Sequence, residues 1–393
     1  MREQLEGSQA VARAVALCRP HVVAAYPISP QTHIVEALSD LVRTGDLAPC
    51  EYLTVESEFG AMSACIGASA VGARAYTATN SQGLLYMTEA VFNASGLGLP
   101  IVMTVTNRAV GAPINIWNDQ SDSMALRDAG WIQLHAASVQ EAADLHLQAY
   151  VLAERLSVPV MVCMDGFVLT HATEEVDLPA QGQVDAFVPP YRPRQVLDPA
   201  DPVTIGAMVG PEAFTEVRYL NEQRLQRALD EVPAIGADFA RGFGRSSGGL
   251  LHTHRTEGAE TVLVTIGSAA GAAEEVVDEL RAEGRSVGAV AITCFRPWPT
   301  EAVRDALSGA RRVVVLERAF SPGSGSIVGN DVRRSLGRPL VPVIETVAGL
   351  GGRPVRRADV RRLLDDAAGG RLEPGTLHFL DLDHALLARA TTG

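Results

Sequence analysis

Leu53-Thr54-Val55-Glu56-Ser57-Glu58-Phe59-Gly60-Ala61 is the stretch on which the fold is decided. A short strand gives way there to a helix of small residues running to about Val71. The same change of period occurs one unit earlier. Val22-Val23-Ala24-Ala25-Tyr26 reads as a buried strand ended by the turn Pro27-Ile28-Ser29-Pro30-Gln31-Thr32, and a helix is expected over residues 32–43. Ala75-Tyr76-Thr77-Ala78-Thr79 repeats the pattern, followed by Asn80-Ser81-Gln82-Gly83 and a helix carrying Leu84, Leu85, Met87 and Val91. Further strands are expected at residues 101–106 and 158–164, the second after a helix over 140–156. Strands alternating with helices predict an α/β fold with a parallel sheet covered on both faces. Such sheets bind ligands beyond the carboxyl ends of their strands. The loops at residues 26–32, 56–58, 80–83 and 107–122 are polar islands that this topology brings to one edge.

Several side chains in these loops suit chemistry. Glu58 opens a helix rich in alanine and glycine, where a carboxyl has few partners and much desolvation. That setting suits proton exchange with a cofactor ring; the alternative is a solvated acid favoured by the helix dipole. Glu56 is the competing acid, facing elsewhere on the strand end. The prolines around Ser29 fix its backbone and can hold the hydroxyl towards a ligand, or the turn simply caps the next helix. Arg108 directly follows a strand and can take a carboxylate through two nitrogens, or form a structural salt bridge with Asp119 or Asp122. Residues 111–122 are polar, aromatic and long, as in a lid or a subunit contact. Asp165-Gly166-Phe167 resembles the kinase magnesium tripeptide, but nothing else of a kinase is present.

The chain has 393 residues, room for two or three domains. Aromatics make up 5%, which suits buried parallel strands of small and aliphatic residues. A net charge of −13 argues against nucleic-acid binding. No apolar run has membrane-spanning length, and the first seven residues read as acidic and helical without a secretory segment, so the cytoplasm is the expected location. Cys18, Cys50, Cys65, Cys163 and Cys294 are scattered, with no disulfide framework and no zinc or iron–sulfur ligand set. Any cluster must then lie on another chain, and no metal ligands are expected on this one. There is no Walker loop, GxGxxG, HExxH or GxSxG. The Gly-Asp-Gly and Asn-Asn arrangement that holds a thiamine diphosphate tail through magnesium is also missing.

Residues 174–258 break the strand–helix rhythm, with Pro179, Pro189, Pro190, Pro193, Pro199 and Pro202 and one polar helix at about 214–229. They read as a linker that wraps the surface and helps form an interface. Alternation resumes with strands at residues 261–266, 287–292 and 312–316 and a weaker one at 341–344. The expected domains are 1–173, a wrapping linker over 174–258, and a second, smaller α/β domain over 259–393.

Taken in order, Tyr26-Pro27-Ile28-Ser29-Pro30, Val55-Glu56-Ser57-Glu58, Ser81-Gln82-Gly83-Leu84 and Pro113-Ile114-Asn115-Ile116-Trp117 resemble the α subunits of pyruvate:ferredoxin oxidoreductases, in the 2-oxoacid:ferredoxin oxidoreductase family. The resemblance continues through Arg127-Asp128-Ala129-Gly130-Trp131-Ile132-Gln133, Asp165-Gly166-Phe167-Val168-Leu169-Thr170-His171 and Arg318-Ala319-Phe320-Ser321-Pro322-Gly323. It implies a first domain of the thiamine-enzyme pyrimidine-binding type and a second like the carboxyl-terminal domain of transketolases. It also implies a β subunit holding thiamine diphosphate and Mg2+, and [4Fe-4S] clusters on that subunit and on a ferredoxin-like one. The implied reaction converts a 2-oxoacid (pyruvate in the branch most resembled), coenzyme A and oxidised ferredoxin to acyl-CoA, carbon dioxide and reduced ferredoxin. Glu58 would bond the aminopyrimidine ring and favour its imino tautomer, so that the ring's own nitrogen can take the thiazolium proton. Arg108 would pair with the substrate carboxylate. Ser29, where many relatives have threonine, would hydrogen-bond the substrate. Pro27 and Asn80 fall on the cofactor side. Two other readings stay open: an E1 β-type subunit of a 2-oxoacid dehydrogenase, and a non-catalytic α/β scaffold.

Overall fold

The computed structural model describes residues 2–337 and 341–390, so the outermost residues of the expected domains, 1 and 391–393, lie outside the described residues. Seven strands form the first sheet, in the order Cys294–Arg296, Ile132–His135, Val160–Asp165, Val102–Asn107, Ala75–Thr79, Val22–Ala25, Glu51–Thr54. Every neighbour pair is parallel except the first, where Cys294–Arg296 runs antiparallel to Ile132–His135. Ala75–Thr79, Val102–Asn107 and Val160–Asp165 are buried along their whole length, polar residues included, as expected of strands in a sheet covered on both faces. Helices Gly7–Leu17 and Val139–Leu156 cover one face, with Tyr150 and Phe239 in that core. Helices Glu58–Ala70 and Thr88–Leu97 cover the other, over Met62 and Trp131.

Four sequence expectations need correction. Residues Arg2–Glu6 are a strand, not a helix, and pair antiparallel with Thr173–Asp177 before the helix begins at Gly7. That ladder outweighs the local preference of an acidic segment. Strand Ile132–His135 escaped the reading because Gln133 and His135 are polar, yet both are buried, and the Gln133 amide donates to the Ser123 carbonyl at 3.0 Å. The single helix expected after Gly83 is broken at Met87 into Ser81–Tyr86 and Thr88–Leu97. The connecting segment carries helices Gln181–Phe187, Phe214–Gln226 and Ala228–Phe243 rather than one helix. Ala228, Val232, Ile235 and Phe239 recur at helical spacing and are buried in the first domain's core, which is why the last of these helices forms.

The second sheet runs Leu377–Phe379, Val343–Val347, Arg312–Glu317, Thr261–Ile266, Val287–Ile292, Leu251–His254. Only its last pair is antiparallel. The chain leaves this sheet after Val287–Ile292 to place Cys294–Arg296 on the edge of the first, so a strand links the domains. Residues 111–122 lie across the junction. The Asn115 amide donates to Gly351 carbonyl at 3.2 Å, Gly352 N–H to Asn118 carbonyl at 2.6 Å, and Gln120 N–H to Arg318 carbonyl at 3.0 Å. This long loop is therefore a domain contact. Asp165 completes the junction, accepting from Ser268 N–H at 2.9 Å and Arg318 Nη1 at 3.3 Å. Among the described residues no helix is long and apolar enough to cross a membrane.

Candidate active site at the strand ends

The four polar loops meet at the carboxyl edge of the first sheet. Ser57 caps helix Glu58–Ala70, its hydroxyl accepting from Gly60 N–H at 3.1 Å, which fixes Glu58 as the first helical residue. Glu58 is only 8% exposed, and its carboxyl makes no hydrogen bond or ion pair among the described residues. It packs on Gly83 of the next unit. A Cβ there would lie 2.7 Å from Glu58 Oε1 and 2.7 Å from Thr79 Oγ1, so only glycine leaves the carboxyl its space. The Thr79 hydroxyl is itself buried and unpartnered. Glu56 is exposed and folds back towards Gly60. The structure thus separates the two acids: Glu58 is enclosed at the edge and Glu56 is solvated.

The proline turn is held from beneath. Gln31 and Asn80 are both fully buried. Gln31 donates from its amide to Ala78 carbonyl at 2.7 Å and accepts from Ile28 N–H at 3.3 Å. Asn80 donates to Ile28 carbonyl at 3.2 Å and to Thr106 Oγ1 at 3.1 Å. Gly166 permits the turn's close approach, since a Cβ there would meet Asn107 carbonyl at 2.5 Å and Pro30 Cγ at 2.8 Å. Pro27 and Ser29 are left exposed. Ser29 does not cap the following helix, whose N-cap is Gln31, and its hydroxyl makes no hydrogen bond among the described residues.

Arg108 reaches this turn, donating from Nη1 to Ser29 carbonyl at 2.8 Å and from Nε to Asn115 carbonyl at 3.4 Å. It is 7% exposed and has no carboxylate partner among the described residues. The expected alternative, a salt bridge to Asp119 or Asp122, is not what the guanidinium makes. Asp122 takes the Arg108 backbone N–H instead, at 3.0 Å. Burial pulls the Arg108 guanidinium below its ordinary value, with nearby Asp122 opposing. The arrangement thus brings together an unpaired acid, an unpaired cation and a free hydroxyl at one sheet edge. Gln31 was given no role by sequence reasoning, and Asp122 only that of a possible ion-pair partner. Their signal was position alone, polar residues beside strand ends.

Two clefts, of about 1060 and 1050 Å3, lie elsewhere on the molecule, and neither is lined by Glu58, Ser29 or Arg108. Near Glu58 three large hydrophobic side chains are exposed beside the solvated Glu56: Leu53 at 40%, Phe59 at 37% and Tyr86 at 62% exposure.

Among solved structures, the fold is similar to a 2-oxoglutarate:ferredoxin oxidoreductase from Magnetococcus marinus with 2-oxoglutarate, coenzyme A and succinyl-CoA bound. The TM-score is 0.76 at 19% identity, over 93% of this chain and 65% of that one. A split-gene transketolase, an inactive β4 tetramer, is similar at a TM-score of 0.56 and 16% identity, over 93% of this chain and 99% of that one. The fold is therefore shared with both of these structures. Residues 13–235 match the family model described as pyruvate flavodoxin/ferredoxin oxidoreductase, thiamine diphosphate-binding, and residues 259–360 match the pyruvate:ferredoxin oxidoreductase core domain II. Pyruvate synthase subunit PorA of Methanosarcina barkeri is 46% identical over 390 residues, covering 98% of this chain and 97% of that protein. The PorA of Methanothermobacter thermautotrophicus is 42% identical over 92% of this chain and 94% of its own. Ketoisovalerate oxidoreductase subunit VorA of Pyrococcus horikoshii is 38% identical over 93% of each. The chain belongs to the pyruvate:ferredoxin oxidoreductase family, as the α-type subunit of a 2-oxoacid:ferredoxin oxidoreductase with a thiamine diphosphate-binding first domain.

Proposed function

We propose that this chain holds the aminopyrimidine end of thiamine diphosphate in a pyruvate:ferredoxin oxidoreductase, with Glu58 as its acid–base residue. The observation that carries the reading is the enclosed, unpartnered Glu58 carboxyl seated on Gly83. A carboxyl in that position suits a ring nitrogen that needs a proton donor and acceptor. When bound, the cofactor supplies a nucleophilic carbon and an electron sink for decarboxylation. Glu58 holds and exchanges the proton at the ring nitrogen. Arg108 uses Nη1 and Nε for backbone carbonyls, which leaves Nη2 for the substrate carboxylate, and its fork suits two-point binding. The Ser29 hydroxyl donates to the substrate. Pro27 offers an exposed apolar face on the cofactor side. Asn80, fully buried, serves the cofactor by holding the turn through Ile28.

Pyruvate is the proposed 2-oxoacid, converted with coenzyme A and oxidised ferredoxin to acetyl-CoA, carbon dioxide and reduced ferredoxin. The higher identities to pyruvate synthase subunits than to a ketoisovalerate subunit support it. The rest of the site is assigned to a β subunit carrying the diphosphate and Mg2+. The [4Fe-4S] clusters are assigned to that subunit and to a ferredoxin-like one. The exposed hydrophobic side chains of Leu53, Phe59 and Tyr86 support a covering subunit. A cytoplasmic location accompanies this reading, with neither nucleic acid nor membrane as partner. The test is Glu58→Gln in the co-expressed complex. Loss of an acid–base group predicts a fall in kcat of roughly 10²–10⁴-fold with subunit assembly intact; undiminished turnover refutes the assignment. A panel of 2-oxoacids with a viologen acceptor tests the substrate, and a preference for branched acids over pyruvate refutes that part.

A further inference from the structure

Asp122 is a fully buried acid at this edge that neither the proton-exchange nor the substrate role uses. Its Oδ2 accepts from Ser81 N–H at 2.8 Å and from Arg108 N–H at 3.0 Å. Its Oδ1 accepts from the Asn107 amide at 2.8 Å and from Ser123 N–H at 2.8 Å. One oxygen thus bridges the ends of two neighbouring strands, Ala75–Thr79 and Val102–Asn107. On one side is Ser81, held at φ +48°, a left-handed backbone that costs a non-glycine residue and persists only when its surroundings impose it. That bend starts helix Ser81–Tyr86 and sets Gly83 against the Glu58 carboxyl. On the other side is the backbone from which the Arg108 guanidinium reaches the Ser29 carbonyl.

We propose that Asp122 is a positioning residue that holds the proton-exchanging and carboxylate-binding halves of the site in register through a single carboxylate oxygen. The inference rests on the thiamine-site reading of Glu58 and Arg108. The charged and titratable groups facing Asp122 are the Arg108 guanidinium and, on the adjacent strand, the Cys163 thiol. Burial pushes the Asp122 carboxyl up to about 6, against the pull of its four N–H donors. Protonation therefore turns an acceptor lone pair into an O–H, and one of the two halves loses its tether.

The test uses the co-expressed complex with thiamine diphosphate, Mg2+, coenzyme A, pyruvate and a viologen acceptor. Glu58→Gln is expected to lower kcat, and Arg108→Ala to raise KM. Asp122→Asn keeps the shape but turns an amide towards two donors. It is expected to do both, each by roughly tenfold or more, as small misplacements of catalytic groups do. Wild-type KM should rise as the pH falls through about 6, and the Asn variant should lack that rise. If neither the Glu58 nor the Arg108 variant changes its parameter, the reading of the site fails. If both do and Asp122→Asn keeps wild-type kcat, KM and pH profile, this proposal fails, whatever happens to its melting temperature. Should Asp122→Asn not assemble, the wild-type profile decides: a rise in KM near pH 6 supports the proposal, and a KM flat from about pH 5 to 8 overturns it.

Discussion

Gly83→Ala is the perturbation that isolates the placement of Glu58 without touching its chemistry. The backbone at Gly83 is ordinary helix, so alanine is sterically allowed there, and helix propensity favours it by about 1 kcal/mol. The added Cβ, however, would lie 2.7 Å from Glu58 Oε1, 2.8 Å from Glu58 Cγ and 2.7 Å from Thr79 Oγ1. Thr79 belongs to a strand buried along its length and has nowhere to go. Glu58 sits in the first turn of its helix, with no hydrogen bond or ion pair among the described residues to hold its carboxyl, and is the group that yields. Restoring ordinary van der Waals separation moves it by roughly 0.7 Å or more. Displacements near 1 Å cost catalytic groups about a hundredfold. The expected outcome is kcat lowered by roughly 10–100-fold, with KM for pyruvate near wild type because Arg108 and Ser29 lie on other strand ends. The assay is steady-state viologen reduction by the co-expressed complex, with thermal melting to show a native fold. A natively folded variant with kcat within about twofold of wild type would refute the argument that this carboxyl's position governs turnover.

Three further outcomes are expected elsewhere. Arg108→Lys keeps the charge but loses the planar fork, so KM for the 2-oxoacid should rise roughly tenfold while kcat changes less; an unaltered KM would leave the arginine only its contact to Ser29. Arg74 pairs with Glu154 at 2.5 Å, both side chains nearly buried, and also donates to the carbonyls of Cys18 and Pro189. Arg74→Met leaves Glu154 unpaired and should lower stability by about 3–5 kcal/mol in denaturant titration, most of it recovered when Glu154 is also made apolar. Burial pushes the Glu317 carboxyl from 4.5 up to about 7, although the Ile327 and Val328 N–H groups and the Ser326 hydroxyl donate to it. Because the folded state holds that proton more tightly, its contribution is complete below about pH 4.5 and is lost as the pH rises towards 7. Glu317→Gln should remove that slope from the difference in unfolding free energy measured across this window, and an identical slope in both proteins would contradict it.

The alternation of buried strands and helices was legible because parallel strands covered on both faces are rich in small, aliphatic and β-branched residues, and Ala75–Thr79 falls where it was expected without a displaced end. The grouping of Ser29, Glu58 and Arg108 was legible for a topological reason: each follows a strand of one parallel sheet, and strand ends converge. What stayed hidden depended on contacts made far along the chain. Arg2–Glu6 is a strand only because Thr173–Asp177 offers it a ladder. Cys294–Arg296 leaves its own domain to pair with Ile132–His135, and no local pattern announces such a crossing. Asp122 read as a possible ion-pair partner because its charge is visible in sequence, whereas the four N–H groups that use it are not. Glu58 was already preferred to Glu56 through the family resemblance; what sequence did not show is that one is buried and the other exposed.

Elsewhere in this protein several buried charges are matched, while Glu317 is satisfied by N–H and O–H donors alone. Arg74 meets Glu154, Arg245 meets Asp144 at 2.6 Å, and Arg318 meets Asp165 at 3.3 Å. At the carboxyl edge of the first sheet an acid and a cation both lack such a partner. Glu58 and Arg108 are each less than a tenth exposed and neither has an oppositely charged partner among the described residues. Ser81 keeps a left-handed backbone and Thr79 an unused hydroxyl. Folding alone would remove such lapses, most simply by letting the acid and the arginine of one edge pair with each other. They are instead kept apart: Arg108 is tied to the carbonyls of Ser29 and Asn115, and Glu58 is seated on Gly83. A salt bridge between them would silence both at once, leaving no acid for a cofactor nitrogen and no cation for a substrate carboxylate. The separation costs stability and is useful only if two different ligand groups complete the two charges, which is the strongest physical reason to read this edge as a site.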